Sequence, residues 1–205
     1  MRKWIGAICV LLGAVCLLSA IGFVVYNQRE DENAEEISQS LLKNVQSLID
    51  EKQPEQSLPD DTVNLPNDME KMPTEMATVK VDGYDCIGIL SVPVLDLELP
   101  VLADWSYTKL KIAPCHYFGS YYEKDFVIAA HNYQSHFGRL SELQPKDLIL
   151  FTDISDTVYC YEVVLLETLP ANATEEMITS GFDLSLYTCT ASGTSRVTVR
   201  CNAVE

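Results

Sequence analysis

The 23 residues from Trp4 to Tyr26 carry no charge, and that run constrains the chain more than any other feature. A bilayer core of about 30 Å offers the backbone no water, so a run of this length and character is stable there only as a helix. Arg2 and Lys3 precede it, whereas Glu30, Asp31, Glu32, Glu35 and Glu36 follow Arg29. The positive-inside rule therefore leaves residues 1–3 in the cytoplasm and everything after residue 26 outside the membrane. A cleavable signal has a shorter apolar stretch, about 7–15 residues, ending at a small-residue site. Here the apolar run continues past Leu18-Ser19-Ala20, so residues 4–26 read as a retained transmembrane signal-anchor. Cys9 and Cys16 fall inside the run and read as lipid-facing or helix-packing residues.

Residues 27–77 read as an acidic stalk helix and a linker. From Glu32 to Lys52, Ile37, Leu41, Val45, Leu48 and Ile49 recur at three- and four-residue steps, the mark of an amphipathic helix that stands as a stalk or docks. Between Gln53 and Thr78 the periodicity fades and Pro54, Pro59, Pro66 and Pro73 appear, as in an extended connector. The chain has 30 Asp and Glu against 14 Lys and Arg, a net charge of -16. Nucleic acid is disfavoured as a partner, because phosphate binding relies on Lys and Arg releasing counterions.

Residues 78–205 alternate β-branched and aromatic runs with turn residues, the pattern of a small all-β domain. The expected strands are Cys86–Val92, Leu97–Leu102, Phe126–Ala130, Leu148–Thr152, Thr157–Thr168, Asp183–Thr190 and Thr194–Ala203. Short helical stretches are expected near Tyr107–Ile112 and Thr174–Ser180.

Period two along Asp183–Thr190 places Leu184, Leu186 and Thr188 on one face and Ser185, Tyr187 and Cys189 on the other. Along Thr194–Cys201 it separates Ser195, Val197, Val199 and Cys201 from Arg196, Thr198 and Arg200. The intervening Ala191-Ser-Gly-Thr194 turn lets the two strands pair, so Arg196 lies near Cys189 on the outward face. A cation beside a thiol lowers its pKa and can hold a developing oxyanion. His131 ends the apolar strand Phe126–Ala130 and opens the polar loop Asn132-Tyr-Gln-Ser135. A Cys, a His and an Arg at strand ends are what thiol acyl transfer needs: a nucleophile, a proton carrier and an oxygen-binding cation. The order His before Cys disfavours papain-like folds.

These segments resemble the sortase family. Val127-Ile-Ala-Ala-His131 with Phe137-Gly-Arg-Leu140 is similar to its histidine segment, and Ser185-Leu-Tyr-Thr-Cys189 to its Thr-Leu-x-Thr-Cys signature. Arg196 opens the last strand as the family's arginine does. Upstream, Ile87-Gly-Ile-Leu-Ser-Val-Pro93 and Leu99-Pro-Val101 resemble the opening strands, so the likeness covers nearly all of residues 84–203. Ala130 stands where Gly is common, Asn132 where Arg is common, and Ser185 replaces the first Thr while keeping a hydroxyl.

The resemblance implies a closed eight-stranded β-barrel with short helices, carried on the N-terminal membrane helix and stalk helix. It also implies a transpeptidase that needs no cofactor. Cys189 would attack a C-terminal sorting signal like Leu-Pro-x-Thr-Gly on a surface protein, His131 would serve the departing amine, and Arg196 would steady the oxyanion. A peptidoglycan precursor or another amine would resolve the thioacyl intermediate at the outer face of a Gram-positive-type membrane. Thr188, Thr190 and Tyr187 flank the nucleophile and are expected to shape the substrate groove. A cysteine hydrolase with water as acceptor and a non-catalytic peptide-binding domain are the alternatives. The absence of a second apolar span, and of an Asp-Pro-aromatic motif in the connector, points to surface-protein anchoring rather than pilin polymerisation.

Of the other candidates, His116 and His136 read as loop residues. Cys115 beside His116 lacks a second pair at zinc spacing, so no metal is expected. Cys86, Cys115, Cys160 and Cys201 are either disulfide partners or buried thiols. Ser106 and Tyr107 take no role.

Overall fold

No Gly or Pro falls between Gly22 and Pro54, so nothing in that stretch halts a helix once the apolar run has begun one. The structure, a computed structural model, describes residues 2–51 and 75–204. Helix α1 (Arg2–Glu51) runs unbroken through 50 residues, about 75 Å at 1.5 Å per residue. The span and the stalk helix, expected as separate elements, are therefore one rod. Its apolar part is long enough to cross a membrane, and its described residues from Leu11 to Tyr26 are all exposed. Cys16 is exposed there, as are Leu17, Leu18, Phe23 and Tyr26. The connector expected over residues 53–77 lies, except for its last three residues, outside the described part of the chain.

The second half of α1 docks. Ala34, Ser38, Leu41, Leu42, Val45 and Ile49 form its buried stripe, and Ile37 stays exposed just off that stripe. Leu41, Leu42, Val45 and Ile49 meet Val81, Cys86, Ile89, Leu102, Ala113 and Cys115 in a cluster separate from the barrel interior. Each large aliphatic buried this way contributes about 1.5–3 kcal/mol before ordering costs.

Among the described residues nine strands follow: β1 (Val79–Val81), β2 (Tyr84–Val92), β3 (Leu97–Leu102), β4 (Cys115–Phe118), β5 (Phe126–Ala129), β6 (Leu148–Asp153), β7 (Val158–Pro170), β8 (Leu184–Cys189) and β9 (Ser195–Ala203). A short helix, α2 (Thr174–Ile178), lies between β7 and β8. The sheet order is β1-β2-β3-β4-β5-β8-β9-β7-β6, and β6 pairs back onto β2. Eight strands thus close into the expected barrel, while β1 adds a short hairpin arm to β2. Closure removes the free edges that an open sheet would expose. The interior is filled by Leu90, Val101, Phe126, Ile128, Phe151, Leu186 and their neighbours. Two strands were missed in the sequence, β1 and β4, and the stretch near Tyr107–Ile112 holds only one 3-10 turn, Lys109–Lys111.

None of the described cysteines is paired in a disulfide. Cys86, Cys115 and Cys201 are buried thiols, and burial pushes each up to about 12.

Candidate active site

Among the described residues only β3–β4 and β5–β8 are parallel pairs, and the second builds the site. Parallel strands end at the same edge of a sheet. β5 pairs with β8 so that Ala129 faces Tyr187. The pairing continues beyond β5: the Ala130 N–H donates to the Tyr187 carbonyl at 3.2 Å, and the Thr188 hydroxyl donates to the Ala130 carbonyl at 2.9 Å. One further step along that register puts His131 beside Cys189. On the other side of β8, antiparallel β9 places Arg196 directly opposite Cys189. Three adjacent strands therefore deliver His131, Cys189 and Arg196 to one rim, with the side-chain parity that alternation predicts.

His131 is half-buried, and its ring stacks on Tyr133 at 4.2 Å with 6° between the planes. Its Nδ1 lies 3.1 Å from the Asn132 side-chain oxygen and 3.1 Å from the Asn132 N–H. A protonated Nδ1 donates to the former, and an unprotonated one accepts from the latter. Either charge state thus has a partner. Burial lowers the His131 pKa below the usual histidine value, with Lys111 adding to the effect, against the Asn132 hydrogen bond and the Glu30 carboxylate. The Arg196 guanidinium folds back on its own hairpin, donating to the Gly193 and Ser195 carbonyls at 3.3 and 3.2 Å.

Two depressions meet at Cys189. One is lined by the aromatic rings of Trp105, Tyr107, Tyr117 and Tyr187 and by Pro170, Met177 and Arg196. The aromatic wall is self-supporting: Trp105 packs on Tyr107 at 5.7 Å and on Tyr117 at 5.5 Å, and Tyr117 meets Tyr187 edge-on at 5.3 Å. Burial raises the Tyr187 phenol well above its ordinary range. The other depression opens between the histidine loop and the β8–β9 turn, at Asn132, Gln134, Gly138, Thr190 and Ala191.

Of the flanking residues expected to shape a groove, Tyr187 lines the aromatic depression and Thr190 the second one. Thr188, though only 3% exposed and tied to the Ala130 carbonyl, also lines the second depression. His116 is on strand β4 rather than in a loop, with Nδ1 3.1 Å from the Ala103 carbonyl and Nε2 2.8 Å from that of Gly119. His136 is in the loop, as expected, but entirely buried. Among the described residues no three His, Cys, Asp or Glu side chains come together to hold a metal ion.

Sequence reading missed Arg200. Alternation sets it on the Arg196 side of β9, yet it is 1% exposed. It donates to Glu167 at 2.7 Å, to the Ser185 hydroxyl at 2.8 Å, and to the Glu176 and Met177 carbonyls of α2 at 2.8 and 3.2 Å. The hydroxyl that Ser185 keeps in place of Thr is thus one end of a buried network. That network holds α2, which supplies Met177 to the groove wall. The acidic, hydroxyl and backbone groups that bury Arg200 come from other elements, 15 to 33 positions away in sequence, so no local pattern announces it.

The sortase domain family model matches residues 90–204, more than half of the chain, and the chain belongs to the sortase family, whose members are cysteine transpeptidases. Among solved structures it is similar to sortase C-1 from Streptococcus pneumoniae, at 26% identity over 58% of this chain and 67% of that one, with a TM-score of 0.52. Sortase A from Corynebacterium diphtheriae is 22% identical over 60% of this chain, with a TM-score of 0.52, and this chain spans 62% of its length. Sortase C from Clostridium perfringens SM101 is 18% identical over 86% of this chain and 90% of its own, with a TM-score of 0.51. The sortase A and sortase C structures give nearly equal TM-scores, so the structural likeness shows the fold without separating the classes. No curated protein matches the sequence.

Proposed function

We propose that this chain is a membrane-anchored sortase that joins a surface protein to an amine through a thioacyl intermediate on Cys189. The register of β5, β8 and β9 carries the reading, because it sets a histidine and an arginine on either side of one thiol. The catalytic unit is residues 78–205, held outside the membrane by residues 4–26 with the N-terminus cytoplasmic.

His131 takes the Cys189 proton as sulfur attacks the carbonyl carbon of the sorting signal, forming the C–S bond. Arg196 leaves its two hairpin carbonyls and donates to the oxyanion. The C–N bond breaks, and the His131 imidazolium protonates the departing amine. An incoming amine then attacks the thioester, its proton passes to His131, and C–S cleavage releases the sulfur, to which His131 returns the proton so that the thiol and the neutral imidazole are restored. A low imidazole pKa suits a ring that starts neutral and is charged only in transit. The aromatic groove suits the acyl peptide, and the second depression gives the amine an approach to the thioester from the unoccupied side.

The test presents the full chain in detergent micelles with Leu-Pro-x-Thr-Gly-type peptides and a panel of amines, followed by product analysis. The expected product is a new amide that depends on added amine, absent from Cys189→Ala and reduced to a small fraction in Arg196→Lys, since an ammonium cannot reproduce the guanidinium fork. Free acid alone, whatever amine is added, would establish a hydrolase. Failure of a thiol-reactive peptide analogue to label Cys189 would favour the binding domain.

A further inference from the structure

The histidine loop is completed by a residue more than a hundred positions upstream. Within the loop, the Phe137 N–H donates to the His131 carbonyl at 3.2 Å, and the His136 and Gly138 N–H groups donate to the Tyr133 carbonyl at 3.0 and 2.8 Å. Gly138 is needed there, because a Cβ would meet the Tyr133 carbonyl oxygen at 2.6 Å and the Asn132 oxygen at 2.8 Å. The N–H groups of Gln134 and Ser135 point elsewhere. Both donate to the Asp31 carboxylate of α1, at 3.1 and 3.2 Å, and the Ser135 hydroxyl donates to it at 2.5 Å. One residue earlier on the helix, Glu30 pairs with Lys111 at 3.2 Å. Tyr133, whose ring stacks on His131, immediately precedes the two residues that Asp31 holds.

Docking of α1 does not need this contact. The apolar cluster from Leu41 to Ile49 lies ten or more residues further along the helix and packs on other strands. What Asp31 adds is three charge-assisted bonds to a surface loop, each stronger than a neutral one. The clasp also sits five residues past Tyr26, about 8 Å along the axis, so the rim carrying the site lies at the end of the barrel nearest the apolar run.

We infer that Asp31 is a positioning residue of the reaction: the anchor helix itself clasps the histidine loop and, through Tyr133, sets the His131 ring against Cys189. The inference rests on the proposed role of His131 in acyl transfer. A displaced proton carrier costs rate steeply, since misplacement of a catalytic group by about 1 Å can lower turnover about a hundredfold.

The test compares the full chain in detergent micelles with Asp31→Ala, Asp31→Asn and, as a control, Glu32→Ala, an exposed neighbour on the same helix. Asp31→Ala is expected to lower kcat for transpeptidation about tenfold or more while KM for the sorting peptide stays within about twofold, because the aromatic groove is untouched. Asp31→Asn, which keeps one acceptor oxygen, should recover part of the loss, and Glu32→Ala should match the parent. The melting temperature and the rate of Cys189 alkylation report that each variant is folded. A kcat for Asp31→Ala within about twofold of the parent, or an equal loss in the Asn and Ala variants with KM rising in step, would reduce the clasp to a docking contact. Should the parent chain turn over no sorting peptide, the proposed function fails while the clasp remains readable in the imidazole NMR signals. Asp31→Ala should then move the His131 ring resonance and leave that of His116 in place. An unmoved His131 signal would overturn the inference.

Discussion

At neutral pH the imidazole of His136 sits inside the protein uncharged. No atom of it reaches solvent, and neither ring nitrogen has a hydrogen-bond partner among the described residues. Burial lowers its pKa to about 4, with the charge of His131 working the same way and the Asp31 carboxylate opposing. An unfolded chain takes up that proton near pH 6.5. Between pH 6.5 and 4 the unfolded state therefore binds more protons than the folded state, and stability falls as pH falls, by on the order of 3 kcal/mol at the lower end. Above pH 6.5 both states are neutral at this site and the contribution is complete. His136→Phe removes the titration, so the drop in melting temperature from pH 7 to pH 4.5 should be smaller in the variant than in the parent. Equal drops would mean that the imidazole gains its proton without unfolding. At this scale the sequence was legible where chemistry and strand parity coincide: His131, Cys189 and Arg196 each stand at a strand end. His136 and Asp31 were not, because their environments are made by contacts across about a hundred residues.

Strand β9 shows where element-level reading stops. Alternation correctly separated Val197, Val199 and Cys201 from Arg196, Thr198 and Arg200, and it correctly set Arg196 opposite Cys189. It could not say that α2 and Glu167 would cover the outer face at Arg200 and leave it open at Arg196. Strand β4 escaped because it is four residues long, bounded by Pro114 and Gly119, and bulged between His116 and Phe118. Strand β1 escaped because three residues carry no periodicity. The Arg200 network yields a prediction about α2. Arg200→Met keeps an apolar stem but leaves the Glu167 carboxylate, the Ser185 hydroxyl and two α2 carbonyls without their donor. Breaking a buried pair on one side costs about 3–5 kcal/mol, and the lower end applies because Glu167 retains some contact with water. Urea unfolding should show that loss. With α2 released, Met177 no longer holds the groove wall, so KM for the peptide should rise more than kcat falls. An unchanged unfolding midpoint would show the arginine to be replaceable by packing alone.

For the whole molecule, the decisive fact is that helix α1 does not end where its apolar run does. The amphipathic stripe was legible in its three- and four-residue spacing, but the spacing did not reveal which surface receives it. That surface is built from β1, β2, β3 and β4, and it is apolar: Val81, Cys86, Ile89, Leu102, Ala113 and Cys115 are all buried beneath α1. The barrel defined by sequence, residues 78–205, closes its own interior yet leaves this second cluster without a cover. A fragment that begins at residue 27 removes only the apolar run and keeps the docked half of the helix. Uncovering the cluster forfeits the burial of Leu41, Leu42, Val45 and Ile49, each worth about 1.5–3 kcal/mol, and exposes an apolar patch to solvent. Residues 27–205 should therefore unfold in urea at a clearly higher midpoint than residues 78–205, and only the shorter fragment should bind a hydrophobic dye before unfolding. Adding residues 27–51 in trans as a peptide should restore part of the difference, because the stripe is complementary to this face without the covalent link. Equal midpoints and no dye binding would mean that the barrel repacks this face without help, and α1 would then be a tether that happens to lie against it.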